Sequence, residues 1–301
     1  MASVHTLTAA FRALHRVIRR CRMVSVQNGS APPVTGQTLP FHGHLCACVT
    51  VRRLHSFGAR ALATGKPPVS STSAPDMDGG AAKAPTTLEE TLELITKRVD
   101  EVVPEQVVPQ LRARGYALVD GFLGDAFTLA LRHEAEQLYE RGEMEISKST
   151  RFCPENNSVV IYDKRNVFST QMLGGDAYYS SPRLHEYVVG MVTAMYPWLA
   201  QAFPEASLSP QMASNKLAVC IGDGSSYDKH YDNSGEDDLR KLTVILYLNP
   251  VWRPELGGEF RIFSCAKEGN GFTHTDIAPI ADRLLVFWSD RCVHSVSVAA
   301  G

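Results

Sequence analysis

The chain has 301 residues, enough for one large domain or two small ones, and its contents of 44% hydrophobic and 21% charged residues are ordinary for a globular protein. The net charge of −2 conceals an asymmetry, because residues 1–75 contain nine Lys or Arg and no acid, leaving 21 basic and 32 acidic residues in the remainder. An acidic body argues against nucleic acid as the main partner, and no apolar run approaches the roughly 18 residues that span a bilayer.

The first 86 residues differ in composition from the rest of the chain. Their start is Arg-rich, free of acids and apolar along one helical face, which is typical of an organelle transit peptide. A basic disordered tail or a wrongly assigned start codon fits equally well. Residues 65–85 are rich in Pro, Gly, Ser and Ala, as linkers are. We therefore expect residues 1–86 to be a disordered extension, which gives a mitochondrial or plastid location if it is a transit peptide and a cytoplasmic one otherwise.

Helical signals dominate the next part of the chain, so we expect an ordered domain over residues 87–301. Thr87 and Glu90 form a capping box ahead of apolar residues at helical spacing, and Pro104 breaks that run. Asp125 is expected to cap a later helix that reaches Gly142. The remaining expectations are a short helix through residue 111, a strand over 116–119, a loop-rich segment over 143–180 with a strand at 161–170, and a helix over 183–200.

From residue 215 onward, short apolar runs alternate with Gly- and Asn-containing turn signals, which predicts a β-rich core. The layout of helices followed by strands is typical of an α+β protein, with a sandwich or a jelly roll as the core. The predicted strands cover residues 216–221, 227–232, 242–248, 259–263, 275–278, 284–288 and 294–298.

One group of residues in this core has the composition of a metal site. His230 and Asp232 are two positions apart, so on one strand their side chains point to the same side. His294 follows an apolar strand and a polar turn, which places it at the mouth of the core. Two imidazoles and one carboxylate are the ligand set of non-haem Fe(II) oxygenases, which leave coordination positions open. The pair His-x-Asp also occurs by chance, so the metal hypothesis depends on the setting of His294.

Several strings in this core resemble a known family in their order and content. They are YDKHYDN at 227–233, ILYLN at 245–249, GGEFRIF at 257–263 and DRLLVFWSDR at 282–291. Together they resemble the Fe(II)- and 2-oxoglutarate-dependent prolyl 4-hydroxylases, above all the branch that acts on hypoxia-inducible factor. The resemblance covers about residues 88–301 and implies a double-stranded β-helix (jelly roll) core with supporting N-terminal helices.

The resemblance also implies roles for individual residues. His230, Asp232 and His294 fall on the positions that bind iron, where 2-oxoglutarate would chelate the metal. Tyr247 falls on a tyrosine that hydrogen-bonds the far carboxylate of 2-oxoglutarate, although a plain core aromatic is the alternative. Thr243 shares its strand face and is expected to help line that pocket. Cys220 replaces a second tyrosine near the cosubstrate.

One feature of the family has no counterpart in the chain. The family places an arginine nine residues after the distal histidine to clamp 2-oxoglutarate, and nine residues after His294 lies beyond Gly301. Arg261 and Arg283 are not expected to substitute, because the family has arginine at both positions in addition to the clamp. The expectation is therefore a C-terminally truncated chain whose last core strand is incomplete.

The activity implied by the resemblance is hydroxylation of a prolyl residue in a protein substrate. O2 and 2-oxoglutarate are consumed, succinate and CO2 are released, and ascorbate keeps the iron ferrous. Residues 162–165 resemble a mobile loop that covers the substrate, or are simply a charged surface loop. The alternative function is a catalytically weak or inactive jelly-roll protein that binds metal or partners, and a cupin-like metalloenzyme of other chemistry is a remote third.

Overall fold

The computed structural model describes residues 44–53, 83–233, 238–263 and 274–300, and helices precede most of its strands. The helices are α1 (Leu88–Val102), α2 (Val108–Arg114), α3 (Asp125–Glu140) and α4 (Pro182–Ala202). Thr87 caps α1 as predicted, since its hydroxyl accepts a hydrogen bond from the Glu90 N–H and the Glu90 carboxylate accepts one from the Thr87 N–H. A π-helical turn, Val103–Val107, contains Pro104 and leads into α2. None of the helices in the described residues is long and apolar enough to cross a membrane.

The start of α3 corrects one prediction. Asp125 is the first helical residue rather than the cap, and Gly124 occupies the cap position without a side-chain bond. The carboxylate of Asp282 holds the segment that enters α3, accepting hydrogen bonds from the Leu123 and Gly124 N–H groups, each at 2.7 Å, and from the Thr128 hydroxyl at 3.0 Å. Asp282 lies far along the chain, so no local pattern reveals this contact.

Helix α4 contains Pro197 and ends at Ala202, two residues beyond its predicted end. It packs against α1. Gly190 lies at this contact, where an added Cβ would come within 2.7 Å of the Ile95 Cδ1 atom. The absence of a side chain at Gly190 therefore allows the two helices to approach closely.

The strands form two sheets in which every pairing is antiparallel. The strands are β1 (His44–Arg53), β2 (Tyr116–Val119), β3 (Glu145–Cys153), β4 (Ser158–Thr170), β5 (Leu208–Cys220), β6 (Tyr227–His230), β7 (Arg240–Tyr247), β8 (Phe260–Phe263), β9 (His274–Ile277), β10 (Leu284–Trp288) and β11 (His294–Val296). The first sheet has the order β2-β10-β7-β1-β5-β4-β3 and the second has the order β6-β11-β8-β9. With the helices, this is the predicted α+β architecture, and the two sheets are consistent with a jelly roll.

Strand β1 differs from the expectation that residues 1–86 are disordered. It lies between β5 and β7, with Cys46 opposite Ala218 on one side and opposite Tyr247 on the other. Its central residues include Val49, Thr50 and Val51, which favour extended backbone, whereas the prediction rested on the average composition of a longer segment. The expected transit peptide and the linker at 65–85 lie almost entirely outside the described residues.

Residues 143–180 contain more regular structure than predicted, because β3 and β4 form a hairpin. Val159 and Ile161 are largely exposed in β4, so the hairpin lacks the alternation of apolar and polar residues that marks a half-buried strand. The strand predicted at 161–170 is confirmed as part of β4, which also contains residues 162–165, so these residues are not a loop.

The first sheet is covered on both faces, as the complete burial of β10 shows. Trp288 meets Phe203 at the end of α4, whereas Phe287 meets Phe260 of the second sheet, so neighbouring residues of β10 face opposite sides. Thr243 is opposite Phe287 in the register, and cross-strand partners share a face. Thr243, and by alternation Tyr247, therefore face the second sheet.

Candidate metal centre

The residues His230, Asp232 and His294 converge on one point at the edge of the second sheet. His230 ends β6, His294 begins β11, and the two are directly paired in the sheet. The Asp232 Oδ1 atom lies 3.5 Å from the Nε2 atom of His230 and 3.6 Å from that of His294. One ligand atom from each residue lies within 4.8 Å of the others, so the three could hold a single metal ion. Among the described residues no other such cluster occurs.

Both imidazoles are oriented by main-chain carbonyl groups. The Nδ1 atom of His230 lies 2.6 Å from the Asp228 carbonyl oxygen, and that of His294 lies 3.0 Å from the Cys292 carbonyl oxygen. Because a carbonyl can only accept, each Nδ1 carries the proton and each Nε2 presents its lone pair to the site. This is the tautomer that a metal ligand requires, and it is fixed by hydrogen bonds of the kind that support metal-binding histidines.

Burial and neighbouring groups also set the protonation states. Burial is the largest influence on His294 and lowers its pKa to about 4, so the ring is neutral near pH 7. Burial alone would raise the pKa of Asp232. The proximity of His230 and His294 and the hydrogen bond from Thr243 outweigh that effect and lower the pKa to about 2. A neutral imidazole and an ionised carboxylate are the forms that bind a divalent metal. The donor set therefore fits Fe(II).

Aromatic rings form the inner wall of the site. The His294 ring stacks on Phe260, with centroids 4.6 Å apart, and meets the edge of Phe287 at 4.9 Å. His294 is buried, whereas His230 is partly open to solvent. The centre thus has a dry inner side and an accessible outer side.

Thr243 has a more specific position than the sequence indicated. Its hydroxyl donates a hydrogen bond to the Asp232 Oδ2 atom at 2.7 Å and lies 2.8 Å from the Ser289 hydroxyl. These contacts hold the carboxylate with its other oxygen, Oδ1, toward the two histidines. Ser289 was not predicted, since a serine after an apolar strand gives no functional signal by itself. A role of Thr243 in lining a cosubstrate pocket remains a prediction.

Tyr247 and Cys220 lie in the first sheet, on the side of the metal centre. Tyr247 is buried on the same face of β7 as Thr243. Cys220 ends β5, and burial raises the pKa of its thiol to about 11. Their predicted contacts with a cosubstrate remain predictions.

The two arginines considered as substitutes for the clamp have other partners. Arg261 forms a bidentate pair with Asp276, both distances being 2.7 Å, and Arg283 forms one with Asp120 at 2.6 and 2.8 Å. The structure therefore agrees with the expectation that neither substitutes for it.

The outer side of the centre is lined by β6 and the β3–β4 hairpin. The Tyr227 ring stacks against His230, with centroids 6.4 Å apart. The Tyr162 hydroxyl of the hairpin donates a hydrogen bond to the Asp228 carboxylate at 3.1 Å. The hairpin is thereby held beside the strand that ends in His230, two residues before Asp232.

Comparisons with known proteins agree with this arrangement. Residues 216–301 match the sequence model of the 2OG-Fe(II) oxygenase superfamily. The mouse prolyl hydroxylase EGLN3 is 28% identical over 197 residues, covering 64% of this chain and 76% of its own length. The hypoxia-inducible factor prolyl hydroxylase of Caenorhabditis elegans is 30% identical over 190 residues, covering 63% of this chain and 25% of its own length.

Solved structures give the same result. A prolyl hydroxylase from Trichoplax adhaerens, in complex with a peptide of the hypoxia-inducible factor oxygen degradation domain, superposes with a TM-score of 0.53 at 26% identity over 69% of this chain and 86% of its own. A prolyl-4-hydroxylase from Pseudomonas putida shares the fold, with a TM-score of 0.50 at 23% identity over 64% of this chain and 90% of its own. The chain therefore carries a 2OG-Fe(II) oxygenase domain and is a dioxygenase related to the prolyl hydroxylases.

Proposed function

We propose that the chain hydroxylates a prolyl residue in a protein substrate, using Fe(II), 2-oxoglutarate and O2 and releasing succinate and CO2. The observation that carries the proposal is the convergence of His230, Asp232 and His294 in a chain whose relatives are prolyl hydroxylases. Ascorbate is the proposed reductant that keeps the iron ferrous. The comparisons do not favour the inactive binding protein that the sequence left open as an alternative.

Each residue of the centre has a defined task in this proposal. The two Nε2 atoms and the Asp232 carboxylate hold the metal on one side, and Thr243 keeps the carboxylate in place. The iron, when bound, supplies the activation of O2 that no side chain can provide. Phe260 and Phe287 keep water from the inner side. Tyr247 is proposed to hydrogen-bond the far carboxylate of 2-oxoglutarate, with Cys220 beside that pocket.

The substrate is proposed to approach from the outer side, along the β3–β4 hairpin. Val159, Val160 and Ile161 are exposed there, and Tyr162 connects the hairpin to β6. Exposed apolar side chains beside an open metal centre are suited to an extended polypeptide. The Trichoplax relative, which was crystallised with a hypoxia-inducible factor peptide, makes a protein substrate the first choice here.

The test is turnover by the full chain with Fe(II), ascorbate, 2-oxoglutarate and proline-containing peptides. Succinate and a peptide that has gained one oxygen atom at proline are the expected products. Asp232→Ala and His230→Ala are each expected to abolish both, because the metal loses a ligand. His274→Ala alters an exposed histidine outside the centre and serves as the matched control. Undiminished turnover in either ligand variant would refute the assignment of the site.

A further inference from the structure

Two lysines lie beside the metal centre on adjacent strands. The Lys164 Nζ atom of β4 lies 3.6 Å from the centroid of the Tyr227 ring, and the Lys216 Nζ atom of β5 lies 6.0 Å from the same centroid. Tyr227 in turn stacks on His230. Both lysines are half-buried. Two cationic groups therefore lie beside the same aromatic ring, which stacks on a candidate metal ligand.

Lys216 is on the side of the first sheet that faces the centre. Ala218 and Tyr247 are aligned across the sheet, because both are opposite Cys46 in the backbone register. Aligned residues share a face, so Ala218 faces the same side as Tyr247. Alternation along β5 then places Lys216 and Cys220 on that face as well.

Within the described part of the chain, neither lysine has a carboxylate partner. The Lys216 amine donates to the Ser147 hydroxyl at 2.8 Å, a neutral acceptor. Other lysines of the sheets are paired: Lys148 with Asp163 at 2.7 Å and Lys241 with Asp290 at 2.6 Å. Burial and the nearby charge of Lys216 lower the pKa of Lys164 to about 8. The charges of Asp228 and Asp232 act on Lys164 in the opposite direction, but neither carboxylate forms an ion pair with it. Two neighbouring, partly desolvated amines without a direct ion-pair partner are costly, and a bound anion would offset that cost.

The position of the pair defines the kind of anion. Lys164 is close enough to Asp232 and His294 for the charges of these groups to influence one another. An anion held by the lysines can therefore belong to the same small molecule that occupies the metal. A dicarboxylic 2-oxo acid that bound iron through its keto and first carboxylate oxygens would extend its second carboxylate away from the metal. Two half-buried lysines are suited to bind that second carboxylate.

We propose that Lys164 and Lys216 bind the distal carboxylate of 2-oxoglutarate. The inference rests on the proposed function. It assigns cosubstrate selectivity to two residues of β4 and β5 for which neither the sequence patterns nor the comparisons indicated that role. The lysines select a dicarboxylic 2-oxo acid over a monocarboxylic one, and the metal ligands hold the end that both kinds of acid share.

Direct binding measurements on the full chain test the proposal without turnover. The protein is loaded with Mn(II), and 2-oxoglutarate and pyruvate are titrated separately by calorimetry. Pyruvate has the same chelating end but lacks the distal carboxylate. Lys164→Met and Lys216→Met are each expected to raise the Kd of 2-oxoglutarate at least tenfold, while the Kd values of pyruvate and Mn(II) change less than twofold. Lys148→Met, a change of an exposed lysine in β3, is the matched control and should leave all three values unchanged.

Three results would overturn the proposal. Unchanged 2-oxoglutarate affinity in both lysine variants would show that the distal carboxylate is held elsewhere. An equal loss of pyruvate or Mn(II) affinity would show that the lysines only support the structure of the centre. Failure of the unmodified protein to bind 2-oxoglutarate at all would refute the proposed function and this inference with it.

Discussion

Replacing Thr243 with valine is expected to weaken metal binding without unfolding the protein. The change preserves the shape of a buried side chain but removes the hydroxyl that donates to the Asp232 Oδ2 atom at 2.7 Å. A hydrogen bond to a charged group contributes about 1.5–3 kcal/mol. Since about 1.4 kcal/mol corresponds to a factor of ten, the metal affinity should fall by about 10- to 100-fold. Substitutions of residues that support metal ligands have effects of about this size.

Calorimetric titration of the full chain with Mn(II) or, without oxygen, Fe(II) measures this loss. Thr193→Val is the matched control, because the Thr193 hydroxyl bonds only to carbonyl groups of its own helix, α4. Ser289→Ala is a second variant for comparison. It leaves the Thr243–Asp232 bond in place and should therefore lower the metal affinity less than Thr243→Val does. Equal metal affinity in Thr243→Val and the unmodified protein would show that the carboxylate does not depend on this hydroxyl for its orientation.

Two further predictions concern stability and thiol reactivity. Asp282→Asn removes a charged acceptor from the start of α3 and should lower the free energy of unfolding in urea by about 2 kcal/mol, whereas Asp176→Asn, at an exposed position, should not. Equal urea midpoints for Asp282→Asn and the unmodified protein would contradict this role of Asp282. Burial raises the pKa of Cys220 to about 11, so its thiolate forms only as the pH rises toward that value and it should resist alkylation at pH 8. Cys153, which is partly exposed like Cys220, should react first in peptide mapping, and equal labelling of both in the folded protein would count against the raised pKa of Cys220.

The candidate site was predictable because its signal is local. His230 and Asp232 are only two residues apart, although β6 ends at His230 and not at residue 232 as predicted, and the apolar run before His294 indicated its place at a strand end. Strand β10 matches its predicted bounds for the same reason, since an apolar run flanked by turns carries its own signal. A strand or a ligand pair can be predicted when its signal lies within a short window of sequence.

Features that depend on distant partners were not predictable. Asp282 holds the entry to a helix that lies more than 150 residues earlier, and Ser289 contacts Thr243 although the two are far apart in the chain. The lysine pair likewise forms only because β4 and β5 are neighbours. Strand β3 and the start of β4 were missed for a different reason. The apolar residues at the start of β4 are exposed, so no alternation of apolar and polar residues marks this part of the hairpin.

The position of β1 also has a consequence for how the protein folds during synthesis. Cys46 pairs with Tyr247, so β1 leaves the ribosome well before its partner, about 10–40 s earlier at typical elongation rates of about 5–20 residues per second. Until β1 docks, the facing edges of β5 and β7 are unpaired, and such edges promote aggregation. A fragment that begins at residue 87 would keep those edges open permanently. We therefore expect chaperones that bind extended segments to assist the pairing of β1 with β7 most, because these paired strands are the farthest apart in sequence within this sheet.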